Sequence, residues 1–226
     1  MTVTRTSIDV GRAGDVSGLL LVTEKPVAGL VLAHGAGAGM THPFMERFSV
    51  ALAARGVATF RYQFPYMEKG GRRPDPPAVA EACVRAAVKE AARLVPGLPL
   101  FAGGKSFGGR MTSQAEAREP LPGVQGLVFV GFPLHAAGKP ATVRGEHLSN
   151  IRVPMLFLQG TRDKLAEPEL LRPICARLPG ATLHFIDDAD HSFHVPKRTG
   201  RDDDEVMAEL VDVLVAWARQ ILQRSG

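Results

Sequence analysis

The sequence predicts a three-layer α/β/α sandwich around a mostly parallel sheet, and three observations lead to this prediction. Short apolar runs alternate with longer helical patterns along the whole chain. Several of these runs are apolar on both faces, which is typical of strands that helices cover on both sides. The 226 residues contain no internal repeat and no linker long enough to separate two domains, so we expect a single domain over residues 1–226.

The predicted strands are short apolar runs bounded by turn residues. Seven runs meet this description: 18–24, 28–34, 57–62, 98–103, 124–131, 153–160 and 181–187.

The predicted helices show apolar residues at helical spacing. Five segments meet this description: 43–55, 77–95, 107–118, 166–177 and 203–222. The first ends at Gly56, because glycine commonly follows the last residue of a helix, and the last opens after an acidic run at 202–205, which favours a helix N-terminus.

The loop 132–150 is expected to form a short helix or the rim of a site, and it is too short for a large cap.

Composition excludes several classes of protein. The net charge of +4 and the pI of about 9.3 are too weakly basic to indicate a nucleic-acid partner. Cys83 and Cys175 lie in apolar segments and are expected to be core residues, not a disulfide or a metal site. We find no signal-peptide pattern and no apolar run of roughly 18 residues, so we expect a cytoplasmic protein without a membrane partner.

Residues 101–110 read FAGGKSFGGR and fit two different functional loops. A phosphate-binding P-loop needs a further glycine where this chain has Pro99. The alternative is a sharp strand-to-helix turn that exposes a nucleophilic serine, and this turn needs small residues on both sides. Gly104 and Gly108 stand two residues before and after Ser106, so the stretch favours the nucleophile over the P-loop and over a passive glycine-rich turn.

A serine nucleophile needs a histidine base and a carboxylate that orients it. Asp163 follows the strand 153–160, and His191 follows the strand 181–187, which gives the chain order Ser, acid, His. The competing candidates are Asp187, Asp188 and Asp190 for the acid and His194 for the base. Those three aspartates lie too close in sequence to His191 to approach the far side of its ring, so Asp163 is preferred.

An oxyanion hole needs two backbone N–H groups directed at one point. Phe107, directly after the nucleophile, is expected to supply one. The glycine-rich loop HGAGAGM at 34–40 is expected to supply the other from Ala36, with Gly37 as the next choice. This loop does not fit a dinucleotide fingerprint, because Met40 stands where the third glycine belongs.

Basic residues are frequent in the loops expected to surround the site, and Lys105 stands beside the nucleophile. Arg72 and Arg73 are the strongest candidates among them for binding substrate; the others are Lys139, Arg144, Lys197 and Arg198. The ordinary interpretation is a set of solvated surface cations. The functional interpretation is that some attract a carboxylate or phosphate of the substrate.

Four stretches, HGAG, GKSFGG, GTRD and DADHSF, together resemble the α/β-hydrolase superfamily over nearly the whole chain. More narrowly, LAHGAGAGM, GGKSFGGRM, GFPLHAAGKP and DADHSF are similar to the small, lidless branch of hydrolases that resemble dienelactone hydrolases. The resemblance implies an eight-stranded, mostly parallel sheet without a large cap, and Ser106, Asp163 and His191 as a catalytic triad. Dienelactone hydrolases proper use a cysteine nucleophile, so the serine is a departure from them.

The sequence therefore predicts a serine hydrolase that cleaves an ester of a small acyl substrate, anionic in one interpretation, through an acyl-enzyme. No metal or cofactor is required by this chemistry. A thioesterase or small-peptide hydrolase would share the triad, and a catalytically silent scaffold would share the fold. The sequence does not fix the oligomeric state.

Overall fold

A computed structural model describes residues 1–225 of the chain. The eight strands are β1 (Thr2–Asp9), β2 (Asp15–Val22), β3 (Ala28–Ala33), β4 (Val57–Tyr62), β5 (Leu100–Lys105), β6 (Val124–Val130), β7 (Met155–Gly160) and β8 (Ala181–Ile186). The α-helices of the described part are α1 (Pro43–Ala53), α2 (Pro65–Glu68), α3 (Pro77–Leu94), α4 (Phe107–Arg118), α5 (Pro168–Ala176) and α6 (Asp203–Ser225).

The strands form one sheet in the order β1-β2-β4-β3-β5-β6-β7-β8. Strands β3 to β8 are parallel, and β1 and β2 extend the sheet antiparallel at one edge. Helices α3, α4 and α5 bury their apolar sides on one face, and α1 and α6 bury theirs on the other. The predicted three-layer, mostly parallel fold is therefore confirmed.

Local sequence signals explain where the helices begin. Proline occupies the first position of α1, α2, α3 and α5, where its missing N–H costs no helical hydrogen bond. Helix α6 begins with a reciprocal cap: Asp202 accepts from the N–H groups of Asp204 and Glu205, and the Glu205 carboxylate accepts from the N–H of Asp202.

Strand β1 was not predicted from the sequence. Its residues are mostly exposed on both faces of the strand, so they form no apolar run of the kind that predicts a strand. The loop after β6 contains a 3-10 helix, Val143–Asn150, as its one helical segment within the described residues. Among residues 1–225, no helix has both the length and the apolarity needed to cross a bilayer.

Candidate active site

Ser106 lies in the turn between β5 and α4, at the C-terminal edge of the parallel strands. Its φ of 50° and ψ of −115° are a strained backbone conformation for a residue with a side chain. The turn closes because its neighbours lack side chains. A Cβ on Gly104 would lie 2.4 Å from the carbonyl oxygen of Ala33, and a Cβ on Gly108 would lie 2.6 Å from the same oxygen. This is the local geometry of a strand–turn–helix that exposes a nucleophile.

Ser106, His191 and Asp163 are joined by two hydrogen bonds. The Oγ of Ser106 lies 2.8 Å from Nε2 of His191, and Nδ1 of His191 lies 2.7 Å from Oδ2 of Asp163. A carboxylate only accepts, so Nδ1 carries the proton and donates to it. Nε2 is then the acceptor for the hydroxyl proton of Ser106.

The carboxylate of Asp163 is fully buried, and its oxygens are held by protein donors. Oδ1 accepts from the backbone N–H of Leu165 at 2.8 Å, and Oδ2 accepts from Nε2 of Gln159 at 2.5 Å. The other end of the Gln159 amide accepts from the N–H of Phe132 at 2.8 Å. The orientation of the carboxylate is therefore fixed before any substrate binds.

Within residues 1–225, the competing acids and base make no hydrogen bond to the ring of His191 or the hydroxyl of Ser106, and Asp187 is exposed. Asp188 pairs with Arg198 at 2.9 Å, and Asp190 accepts from N–H groups of its own loop, including that of Ser192. The ring of His194 is 65% exposed and faces Asp203. Of the candidate carboxylates, Asp163 is therefore the one that accepts from the histidine in contact with Ser106.

Two open clefts meet at the nucleophile. One, of about 300 Å³, is lined by His191, Lys105 and the loop 35–38. The other, of about 390 Å³, is lined by Phe107, Arg110, Arg144 and several residues of the surrounding loops. Ser106 and Ala36 line both clefts, so the two clefts adjoin at these two residues.

The predicted oxyanion donors lie at this junction. Phe107 is the first residue of α4, where helical N–H groups have no partner within the helix. In the described part of the chain, no acceptor contacts the N–H of Phe107, Ala36 or Gly37. The hydroxyl of Tyr66 donates to the carbonyl oxygen of Ala36 at 2.8 Å and so fixes the orientation of that peptide.

His34 anchors the start of the same loop. Its ring is fully buried, with Nδ1 2.8 Å from the carbonyl oxygen of Gly35 and Nε2 accepting from the N–H of Phe64 at 3.0 Å. Burial lowers the pKa of His34 to about 4. The ring is therefore neutral at pH 7 and donates from Nδ1.

Lys105 contacts the histidine loop. Its Nζ donates to the carbonyl oxygen of His191 at 2.6 Å and lies 5.3 Å from the ring centre of Phe193. Burial lowers the pKa of Lys105 to about 8, and the nearby carboxylates of Asp163 and Asp190 act in the opposite direction. The side chain also lines the cleft on the His191 side.

Arg72 and Arg73, the other predicted substrate-binding residues, are exposed and line neither cleft. Arg144 lines the cleft beside Ser106 instead, together with Arg110, which was not predicted from the sequence. Arg110 could have been found from its spacing, since it stands four residues after Ser106 on a predicted helix. Gln159 was also not predicted, although it is a lone polar residue in an apolar strand.

No group of three or more potential metal ligands occurs within residues 1–225.

The chain is similar to known proteins along most of its length. The family described as alpha/beta hydrolase domain matches residues 26–219. A dienelactone hydrolase from Anabaena variabilis has 19% identity and a TM-score of 0.78, with 97% of each chain covered. A lidless α/β serine hydrolase from Xanthomonas campestris has 19% identity and a TM-score of 0.75, covering 96% of this chain and 95% of its own. The esterase domain of a Rhodothermus marinus protein has 18% identity and a TM-score of 0.73, covering 97% and 99%.

Proposed function

Because the chain belongs to the alpha/beta hydrolase domain family, we propose that it is a serine hydrolase that cleaves carboxylic esters through an acyl-enzyme on Ser106. The observation that carries the proposal is the pair of hydrogen bonds, 2.8 Å and 2.7 Å long, that joins Ser106 to His191 and His191 to Asp163. This arrangement can remove a proton from the hydroxyl and stabilise the resulting imidazolium.

In the first half of the reaction, Nε2 of His191 takes the proton of Ser106 as its Oγ attacks the ester carbonyl. The carbonyl oxygen becomes an oxyanion that accepts from the N–H groups of Phe107 and Ala36. Neither N–H has an acceptor within the described residues, so binding the oxyanion breaks no hydrogen bond to them. The carbon–oxygen bond to the leaving group then breaks. The imidazolium gives its proton to the departing alkoxide, which leaves as an alcohol.

In the second half, water attacks the acyl-Ser106 ester and His191 takes one of its protons. The tetrahedral intermediate collapses, the acid product leaves, and the proton returns to the Oγ of Ser106. Throughout, Asp163 keeps Nδ1 protonated, and its two other hydrogen bonds keep the carboxylate in place.

The proposal is tested by exposing the protein to a fluorophosphonate probe and measuring the mass of the intact chain and of its peptides. One phosphonyl group should be added, on Ser106. The Ser106→Ala variant should fold normally and remain unlabelled, and it should lose the hydrolysis of short 4-nitrophenyl esters. The proposal would be contradicted by a folded wild-type protein that is not labelled by the probe and hydrolyses none of the esters.

A further inference from the structure

The cleft on the side of Ser106 away from His191 contains two arginines. Arg110 and Arg144 both line this space of about 390 Å³, together with Ser106 and Phe107. Two cationic side chains beside a nucleophile influence which substrates can bind there.

Arg110 lies one helical turn after the nucleophile, and its backbone N–H donates to the carbonyl oxygen of Ser106 at 3.1 Å. Its guanidinium lies 5.9 Å from the ring centre of Phe107. The Nε of Arg110 is buried and has no hydrogen-bond partner in the part of the chain that the structure describes. Burial, and then the charge of Arg144, lower the pKa of Arg110. A buried N–H without an acceptor is costly, because the unmade hydrogen bond leaves a desolvated donor.

Arg144 approaches from the 3-10 helix Val143–Asn150 and is half-buried. Within residues 1–225, neither Arg144 nor Arg110 has a carboxylate partner. The acidic residue that lines the cleft, Asp75, already accepts from the N–H of Tyr66 at 2.9 Å. The cleft therefore combines two like charges, close enough to affect each other, and no carboxylate of residues 1–225 forms an ion pair with either of them.

The position of His191 shows which part of a substrate this cleft would receive. The leaving group must take a proton from Nε2 of His191, and His191 lines the other cleft. The acyl group, which stays bound to Ser106, is then directed into the cleft of the two arginines.

We propose that Arg110 and Arg144 form a subsite for a carboxylate at the far end of the acyl group, so that the substrates are monoesters of short dicarboxylic acids. This inference rests on the proposed ester hydrolysis at Ser106. Planar guanidinium groups bind carboxylates through two parallel hydrogen bonds. A substrate carboxylate would give an anionic partner to two arginines that have none among residues 1–225, and an acceptor to the buried Nε of Arg110.

The test compares the mono-4-nitrophenyl ester of glutaric acid with 4-nitrophenyl valerate, which has the same number of acyl carbons. For the wild-type protein at low salt, the charged ester should have a kcat/KM about tenfold or more above that of the neutral one. This ratio should fall towards one in Arg110→Gln/Arg144→Gln. It should persist in Arg72→Gln/Arg73→Gln, which removes the same charge from an exposed loop outside both clefts. Because each ratio is measured within one variant, a general loss of activity cancels.

Equal kcat/KM for the two esters in the wild-type protein would overturn the subsite and leave the hydrolase intact. An equal fall of the ratio in both double variants would also overturn it, since general surface charge would then explain the preference. If Arg110→Gln does not fold, Arg144→Gln alone should still lower the ratio.

If neither ester is turned over, the proposed hydrolysis fails, and the subsite is tested by binding. Calorimetric titration of Ser106→Ala with monomethyl glutarate should then detect binding that disappears in Ser106→Ala/Arg144→Gln. Absence of binding, or binding that is unchanged in the second variant, would overturn the inference.

Discussion

Gln159 and Asp163 are joined by a hydrogen bond of 2.5 Å between the amide Nε2 and Oδ2, the same carboxylate oxygen that receives Nδ1 of His191. Gln159 lies in β7 and is fully buried, so a rigid strand holds the acid of the proposed triad. Positioning of this kind acts on the orientation of the histidine without any contact to substrate.

The first prediction is that Gln159→Met lowers kcat by about 10- to 100-fold and leaves KM nearly unchanged. The range corresponds to the loss of one hydrogen bond to a charged group. Steady-state kinetics on a short neutral ester provides the measurement. Urea unfolding of the same variant separates this effect from the stability lost when the N–H of Phe132 loses its acceptor. A variant that is destabilised but keeps the wild-type kcat would show that Gln159 has only a structural role.

The second prediction concerns the identity of the acid. Asp163→Asn should lower kcat by about 10⁴-fold, because an amide can impose the wrong tautomer on His191. The matched control is Asp188→Asn, which removes a carboxylate from the neighbouring loop, where its partner is Arg198. Asp188→Asn should keep kcat close to that of the wild-type protein. Near-normal activity of Asp163→Asn together with an inactive Asp188→Asn would reverse the assignment.

The third prediction concerns the turn that carries Ser106. In Gly108→Ala, the new Cβ would lie 2.6 Å from the Cβ of Ala33 and from the carbonyl oxygens of Ala33 and His34. Since backbone atoms cannot move aside cheaply, the free energy of unfolding should fall by about 1–3 kcal/mol or more. Gly37→Ala is the control, because its Cβ would meet nothing within 4 Å. Its stability in urea should remain within about 0.5 kcal/mol of the wild-type value, and equal losses in the two variants would refute the steric argument.

The fourth prediction is that His34 makes the fold sensitive to acid. Its folded pKa of about 4 lies below the ordinary 6.5, so between these values the unfolded chain binds a proton that the folded chain does not. The free energy of unfolding should therefore fall as the pH drops from 6.5 to 4, with about 3 kcal/mol of this decline due to His34. The part of the decline that is due to His34 should end below pH 4, where the folded and unfolded chains both bind the proton.

Denaturant unfolding across this pH range measures the decline, and His34→Asn should make it shallower. The exposed His194 serves as the control, because its hydrogen bond to Asp203 raises its pKa. The contribution of His194 to the free energy of unfolding has the opposite pH dependence. Its stabilisation is present below pH 6.5 and is lost as the pH rises through the raised pKa. His194→Gln should accordingly leave the acid-side decline in place, and a flat profile in this variant would contradict the role of His34.

The fifth prediction concerns the size of the acyl group. Only residues 131–154 connect β6 to β7, and their one helical segment in the described structure is the 3-10 helix Val143–Asn150. No cap of several helices can form from this length, so the clefts remain open and shallow. Among neutral 4-nitrophenyl esters, kcat/KM should be highest for acyl groups of two to about six carbons. A clear optimum at ten carbons or more would count against an open, compact acyl cleft.

The central strands could be predicted from their apolar runs, and Ser106, Asp163 and His191 each lie in the turn or loop after a predicted strand. Parallel strands bring their C-terminal ends to one edge, so order along the chain was enough to group these three residues. Strand β1 could not be predicted in the same way, since an exposed edge strand carries no apolar run.

The side chains around the site were harder to predict, because their directions depend on loops. Arg72 and Arg73 lie in a loop rich in glycine and proline whose course no periodicity specifies, and the structure places them outside both clefts. Arg144 lies in a 3-10 helix, and the path of this helix decides on which side of Ser106 the arginine lies. A 3-10 helix has no strong sequence pattern, so this side could not be predicted.

The sheet order has a consequence for how the protein loses activity. Ser106 follows β5, an interior strand flanked on both sides, whereas His191 follows β8, which lies at the edge and pairs with β7. Edge strands open locally at a lower free energy than the centre of a sheet, as separate cooperative units. A fluctuation that detaches β8 would carry the base away from an otherwise native nucleophile. We therefore expect inactivation to precede global unfolding on heating, and amide hydrogens of β8 to exchange faster than those of β5.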